Sequence, residues 1–394
     1  MPRVAIVGAG LAGYTVARTL RAAGHEGEIV VVGAEAHRPY DRPPLSKAYL
    51  SGELDAAGIA LEGDEEIGVG WRLGVAAVGL DAGTRALALS DGSVLGADEI
   101  VLAVGASPRE LPELPGAPSG APAHVLGTRE HADALRAALV PGAEVVIAGA
   151  GFVGLEVAAA AIAAGAASVT VVCADTSPLR RFGAEASAAV RGLHERSGVR
   201  FVTGVRVVGV ERSPDGRPVG VRLGDGRVAE GSVVVAGIGA VPSTGWLAGS
   251  GLALTPWRAV ACDDRGRAAP GIHAAGDCAA WGEVSCGHWT LAREQASRAA
   301  EDIVAPGTAA ASGEPPYVWS DQHGARVQFA GRLRGDETVS VAAGDVAAGD
   351  PLLVYRDSRG EEVAAFGIDQ PRLMMRWRKT HRAVASPSPQ VAAA

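Results

Sequence analysis

Two sets of glycines carry the strongest chemical signal in the chain: Gly8, Gly10 and Gly13, and then Gly149, Gly151 and Gly154. Both have the spacing G-x-G-x-x-G, after a Val/Ile run and before an Ala-rich segment. At this spacing the first glycine permits a tight turn. The second lets backbone approach a pyrophosphate, and the third lets helix and strand pack closely. The helix that follows offers free N–H groups and a positive dipole end to the phosphates. A carboxylate about 20 residues on should take a ribose hydroxyl. Glu35, 22 residues after Gly13, fills that position in the first copy. In the second copy the expected position falls near Cys173, which is not acidic. Asp175 is the substitute, while Arg180 and Arg181 nearby suit a 2′-phosphate, so NAD and NADP both stay open. Two dinucleotide sites point to two cofactors, most simply FAD with NAD(P)H and hydride transfer between them.

Two charged residues stand out by their setting. Glu156 is the one charge between Val145 and Cys173. A carboxylate in so apolar a stretch argues for a role. Lys occurs only at 47 and 379, among 36 basic residues. Arg, Ala, Gly and Val are used heavily throughout, a bias of the kind a GC-rich genome produces, and a Lys that persists under it is a candidate for one that Arg cannot replace. Lys47 closes the segment RPYDRPPLSK, in which Arg42 is a second charge and prolines stiffen the loop.

These groups need a scaffold. The order strand, Gly-rich turn, Ala-rich helix, strand occurs twice, with Gly8 and Gly149 at equivalent points. This is a repeated βαβ unit, hence an α/β fold with parallel sheet. Each copy is followed by short β-rich stretches with Asp-Gly turns, read as antiparallel hairpins. Leu111–Pro122 and Ala305–Pro316 read as connections. Beyond them lies a small β-rich module with a helix near Arg372–Arg382, and SPSPQVAAA reads as a disordered tail. The 394 residues suggest two or three domains.

Composition narrows the classes. A net charge of −8 argues against a nucleic-acid-binding surface. Four scattered Cys (173, 262, 278, 286) without C-x-x-C exclude a disulfide scaffold and a four-Cys metal site, so no bound metal is expected. The first strand starts near residue 3, which leaves no room for a signal peptide. The apolar Val145–Cys173 stretch fits strand, loop, helix and strand better than a membrane span. A cytoplasmic, reduced setting is expected, and the sequence leaves monomer and homodimer open.

The segments RPYDRPPLSK, GAGFVGLE, AAGDCA, His288-Trp289 and WSDQ at 319–322, in this order from residue 3 to about 380, resemble the oxygenase-coupled ferredoxin reductases. These FAD-dependent, NADH-using enzymes feed [2Fe–2S] ferredoxins of P450 and Rieske oxygenase systems. The resemblance implies a glutathione-reductase-like fold. Two Rossmann-type domains, for FAD (1–110 and 241–308) and NAD(P) (111–240), would precede a C-terminal α+β domain (309–384) and a tail (385–394). Hydride would pass from nicotinamide to flavin, and electrons would leave singly for the ferredoxin.

By the same resemblance Gly8, Gly10 and Gly13 lie on the FAD pyrophosphate, with Glu35 on the ribose and Arg42 helping. Lys47 sits near flavin N5 and pairs with Glu156. A carboxylate would keep the Lys charged and placed, and an Arg fork would be larger and directed differently. Asp277 holds the ribitol. The helix after His288 and Trp289 aims its positive end at the flavin. Trp319 matches an aromatic beside the flavin face, or else is a core or interface Trp. Gly149, Gly151 and Gly154 cradle the NAD pyrophosphate. Ala12, Ala103, Gly105, Arg109, Phe152, Val153, Gly239 and Gly276 complete the cofactor-contacting positions. Departures gather around the cofactors: Val104 for Thr, Gly127 for Arg, Gly287 for Glu and Asp369 for Asn.

No Cys precedes residue 173, which argues against a disulfide reductase. Cys278 and Cys286 read as buried small hydrophobes before redox groups. Arg372, Arg376, Arg378, Lys379 and Arg382 form an acid-free patch suited to an acidic ferredoxin, or else simply a solvated helix end. The alternatives are a free-standing NAD(P)H oxidase or quinone reductase, and a redox-sensing flavoprotein of the apoptosis-inducing-factor type.

Overall fold

The computed structural model describes residues 1–61, 67–116, 118–120, 123–282, 284–285, 287–308 and 313–382. Cys286 and the tail 385–394 lie outside the described residues.

A six-stranded sheet runs in the order Arg267–Ala269, Ile272–Ala274, Glu99–Leu102, Val4–Val7, Ile29–Gly33, Gly70–Leu73. Val4–Val7 is parallel to both of its neighbours. Every residue of Val4–Val7 and Ile29–Gly33 is buried, as a Val/Ile run covered on both faces must be. Helices Leu11–Ala22 and Trp289–Val304 cover one face together, with Val16, Ala17, Leu20, Ala296 and Ala300 in one core. The chain leaves this sheet after Leu102 and re-enters it at Arg267.

A four-stranded parallel sheet fills the interval, in the order Val199–Thr203, Ser168–Cys173, Glu144–Ala148, Val233–Ala236. Helix Phe152–Ala163 follows its glycine turn, built largely of Ala and Val and closed by Gly165 at φ +81°. Ala106–Pro108 and Ala240–Pro242 pair where the chain passes between the two sheets. Both expected sets of hairpins form, in strands 77–96 and 207–230. Their Asp-Gly turns put Gly92, Gly216 and Gly226 at positive φ.

The last module is a five-stranded antiparallel sheet, ordered Tyr317–Gln322, Ala325–Gly331, Glu362–Ile368, Leu352–Arg356, Thr338–Ala343. Helix Pro371–Thr380 packs Met374 and Trp377 against Leu352, Val354, Ala330 and Ala365. Another part of the sheet shares a core with the four-stranded unit, where Phe182 meets the rings of Phe329 and Phe366. Asp369, the departure from Asn, sits at φ +52° and accepts from Arg326 N at 2.7 Å. The left-handed region favours Asn and Asp among non-glycine residues. The α/β fold expected from the repeat is the one observed.

Candidate functional site

Both glycine turns have the same division of labour. A Cβ at Gly8 would stand 2.2 Å from the Ala103 carbonyl oxygen, and one at Gly13 would stand 1.9 Å from that of Gly8. At Gly149 the obstacle is Gly237 O at 2.2 Å, and at Gly154 it is Gly149 O at 2.2 Å. These four glycines are fixed by packing. The middle ones are different: a Cβ on Gly151 meets nothing within 4 Å, and on Gly10 only the Arg42 guanidinium at 4.0 Å. Gly10 and Gly151 are also the N-caps of their helices, and neither helix has a side-chain cap. Unpaired first-turn N–H groups facing open space suit a phosphate. The residues therefore fit two dinucleotides.

On the first side Ala12 lies against Gly276, whose Cβ would stand 3.1 Å from that of Ala12. Gly276 N donates to buried Gln295 at 3.0 Å, which fixes the exposed Asp277 beside the first glycine turn. Glu35, at the end of the second strand, accepts from Tyr40 OH at 2.5 Å and pairs with Arg42 at 2.5 Å. Arg42 also donates to the Gly127 carbonyl oxygen. A Cβ at Gly127 would stand 2.9 Å from Pro108 Cδ, so the glycine leaves its backbone free to meet Arg42. Ala103 is buried under Gly8, and Arg109 is tied by its backbone to Gly239 at 2.9 Å. Gly105 and Gly239 both take positive φ with open space around them.

The prolines of RPPLSK set a short 3-10 turn, Pro43–Ser46, and Lys47 follows it directly. Lys47 Nζ lies 2.8 Å from Glu156 Oε2, with the two side chains 16 % and 4 % exposed. Ser46 Oγ donates to Glu156 Oε2, and Ser320 Oγ donates to Oε1 at 2.5 Å. The carboxylate thus collects one ammonium and two hydroxyls, so both of its buried oxygens have partners. Helix Phe152–Ala163 places Glu156 inward from its second turn. Phe152 packs on Phe182, and Val153 remains exposed.

Strand Tyr317–Gln322 serves two purposes by its period of two. Ser320 and Gln322 point into the buried side. Trp319 stands on the other, stacked on Tyr317 at 5.9 Å and edge-on to Trp289 at 5.9 Å. Trp289 donates to Asp41 at 2.7 Å. Burial pushes the Asp41 carboxyl up, opposed by the Trp289 hydrogen bond and the charges of Lys47 and Arg293. His288 caps the helix Trp289–Val304 without a side-chain cap bond. Burial, with Arg181 close by, lowers its pKa to about 4.

On the second side Cys173 is buried, and Asp175 is exposed and paired with Arg180 at 3.2 Å. Arg181 lies over the Phe182 ring, its pKa lowered by burial. The basic patch needs one correction. Arg378 is only 17 % exposed, pairs with Glu314 at 3.1 Å and covers Tyr317 at 4.3 Å. It buttresses the aromatic stack, so it is not a docking charge. Arg372, Arg376 and Lys379 are exposed together with Met375.

Sequence reasoning gave no role to Ser46, Ser320, Gln322, Asp41 or Gln295. The alternation in WSDQ was the available signal for Ser320 and Gln322.

The model for the pyridine nucleotide-disulphide oxidoreductases matches residues 2–296, and a reductase C-terminal model matches 317–394. The chain belongs to this family. It is 37 % identical over 385 residues to a probable ferredoxin reductase, CtmF, of Castellaniella defragrans, covering 94 % of this chain and 91 % of that one. Putidaredoxin reductase CamA of Pseudomonas putida is 33 % identical over 92 % of this chain and 87 % of its own. The reductase in the covalent putidaredoxin reductase–putidaredoxin complex superposes with a TM-score of 0.89 at 31 % identity, covering 97 % and 93 % of the two chains. The family is one of oxidoreductases that use FAD and NAD(P)H, and its fold is the expected pair of Rossmann-type domains with a small C-terminal domain. Among the described residues Cys173, Cys262 and Cys278 are free and form no disulphide. Cys278 is fully buried, and burial pushes its thiol up to about 11 and that of Cys262 up to about 12. Thiols so held are poor nucleophiles. Among the described residues no helix is long and apolar enough to cross a membrane.

One consequence is open to a stability measurement. His194 is 0 % exposed, and burial lowers its pKa from 6.5 to about 4. The folded state then binds its proton less readily than the unfolded chain. Its contribution is complete above pH 6.5 and is lost as pH falls toward 4. The slope is at most about 1.4 kcal/mol per pH unit. Urea unfolding of wild type and His194→Phe between pH 7.5 and 4.5 should show the variant flatter below pH 6.5. Parallel curves would refute this.

Proposed function

We propose that the protein oxidises NAD(P)H and supplies electrons to a [2Fe–2S] ferredoxin of a P450 or Rieske oxygenase system. The observation that carries the reading is the buried Lys47–Glu156 pair, at 2.8 Å, built between the two glycine-turn units. FAD, when bound, supplies the two-electron acceptance from the nicotinamide and the one-electron release. Gly8, Gly10 and Gly13, the helix start at Leu11, Glu35, Arg42 and Asp277 would hold it. Gly149, Gly151, Gly154 and Asp175 would hold the nicotinamide dinucleotide. Asp175 favours NADH, since a carboxylate accepts from a ribose hydroxyl and repels a 2′-phosphate.

The protein's own work is electrostatic and geometric. Glu156 holds the Lys47 ammonium in place at 2.8 Å. Trp289 and Trp319 wall the same region, and the uncapped helix at Trp289 contributes its positive end. The domain division at 110, 241 and 308 and a cytoplasmic location belong to the same reading. The crossing strands Ala106–Pro108 and Ala240–Pro242 support the first, and the free thiols of Cys173, Cys262 and Cys278 support the second.

Steady-state NADH consumption with and without a small [2Fe–2S] ferredoxin tests the reading. Strong stimulation by the ferredoxin is expected. Equal rates with oxygen alone would make the protein an oxidase. For docking, Arg376→Glu with Lys379→Glu should raise the KM for ferredoxin at low salt about tenfold, with kcat for a dye acceptor unchanged and the salt dependence flattened. An unchanged KM would remove this helix from the interface.

A further inference from the structure

Glu156 is one end of a line of polar side chains that passes between the middle unit and the last module. Its Oε1 accepts from Ser320 Oγ at 2.5 Å. Ser320 Oγ accepts from Gln322 Nε2 at 2.8 Å. Gln322 Oε1 meets His194 Nε2 at 2.8 Å, and His194 Nδ1 meets His323 Nε2 at 3.0 Å. Ser320, Gln322 and His194 are 0 %, 1 % and 0 % exposed, and His323 is half-buried.

The proton inventory fixes the direction of this line. Ser320 has one proton. Given to Glu156, it leaves the hydroxyl oxygen to accept from the Gln322 amide. The amide oxygen then takes the Nε2 proton of His194. Nδ1 of His194 is left as the acceptor and takes the proton of His323 Nε2. Every donor points toward Glu156. With the amide turned round, its oxygen would face Ser320 and draw the hydroxyl proton off the carboxylate. A cationic His194 would have to donate from Nδ1 to His323 Nε2, and burial opposes that cation.

We propose that His194 is a positioning residue for the Lys47–Glu156 pair: through Gln322 and Ser320 it keeps a hydroxyl proton on Glu156 Oε1, which reserves Oε2 for Ser46 and Lys47. A purely structural role would need the four groups satisfied, with no consequence at Lys47. The proposal rests on the reading of that pair as part of the electron-transfer site.

Two measurements on the FAD-loaded full-length chain test it. In stopped-flow reduction by NADH, His194→Phe and Gln322→Met should each slow the absorbance change about five-fold, the worth of one net hydrogen bond. In a Glu156→Gln background neither should slow it further. Equal slowing in both backgrounds, or no slowing in either variant, overturns the proposal. Imidazole ¹⁵N shifts should show His194 protonated at Nε2, and protonation at Nδ1 overturns it independently of rate. Should His194→Phe fail to fold, Gln322→Met carries the same comparison. Neither measurement involves a ferredoxin, so failure of the ferredoxin reading is seen separately, in the acceptor assay.

Discussion

Glu156→Leu should lower stability by about 3 kcal/mol, the lower end of the cost of breaking a buried ion pair. It should also slow reduction by NADH at least about tenfold, or roughly 1.4 kcal/mol in the barrier. Three donors lose their acceptor together: Lys47, Ser46 and Ser320. Lys47 keeps partial access to water at 16 % exposure and, as a hydrogen-bond acceptor among the described residues, the Pro43 carbonyl at 3.1 Å. This is the reason for taking the lower figure. The double variant Lys47→Leu with Glu156→Leu should regain part of the lost stability, because no charge is then left unpaired, and none of the lost rate. Lys47→Arg tests geometry alone: it keeps the charge but brings a planar fork into a space shaped for an ammonium. It should slow reduction, while Lys379→Arg on the exposed helix should not. Urea unfolding and stopped-flow absorbance measure the two effects. Equal rates for the two Arg variants would return Lys47 to the class of ordinary surface lysines.

Gly151→Val and Gly154→Val should part company completely, although they lie in one turn. Gly151 has extended backbone at φ −81° and ψ −179°, which valine adopts freely. Its Cβ would meet nothing within 4 Å. The protein should therefore fold and take up FAD. Its affinity for NADH should fall about 100-fold, or about 2.7 kcal/mol, because the added carbons occupy the space over the helix N-terminus. At Gly154 a Cβ would stand 2.2 Å from Gly149 O, and helix and strand cannot both remain in place. That variant should be recovered mostly as aggregate. Dinucleotide titration and thermal unfolding decide. A Gly151→Val protein with unimpaired NADH binding would break the link between open space and phosphate.

The parts of this site visible in the chain were those set by short-range geometry. Both glycine turns, Glu35 and the uncapped helix starts follow from spacing within about thirty residues, and the repeat made the α/β fold legible with them. The partners of Glu156 do not follow from spacing. Ser46 is 110 residues away and Ser320 164, while His194 and Gln322 are separated by 128. Such pairs exist only after three units have packed: the alternation in WSDQ turns Ser320 and Gln322 inward but does not name their partners. Arg378 shows the converse. Its helix reads as uniformly basic, yet packing turns this guanidinium onto Tyr317 and leaves Arg376 outside.

The buried serine and glutamine of strand Tyr317–Gln322 set a limit on modular engineering. The last unit looks like the part to exchange when a new electron acceptor is wanted, since it carries the exposed basic helix. Its first strand, however, donates Ser320 to a carboxylate of the middle unit and receives His194 from the same unit. A graft joined before residue 317 imports three strangers into that line. A graft joined after His323 leaves the line whole and still replaces the helix. The natural seam for recombination thus lies in the hairpin turn between His323 and Ala325, and not in the connection where the sequence composition changes.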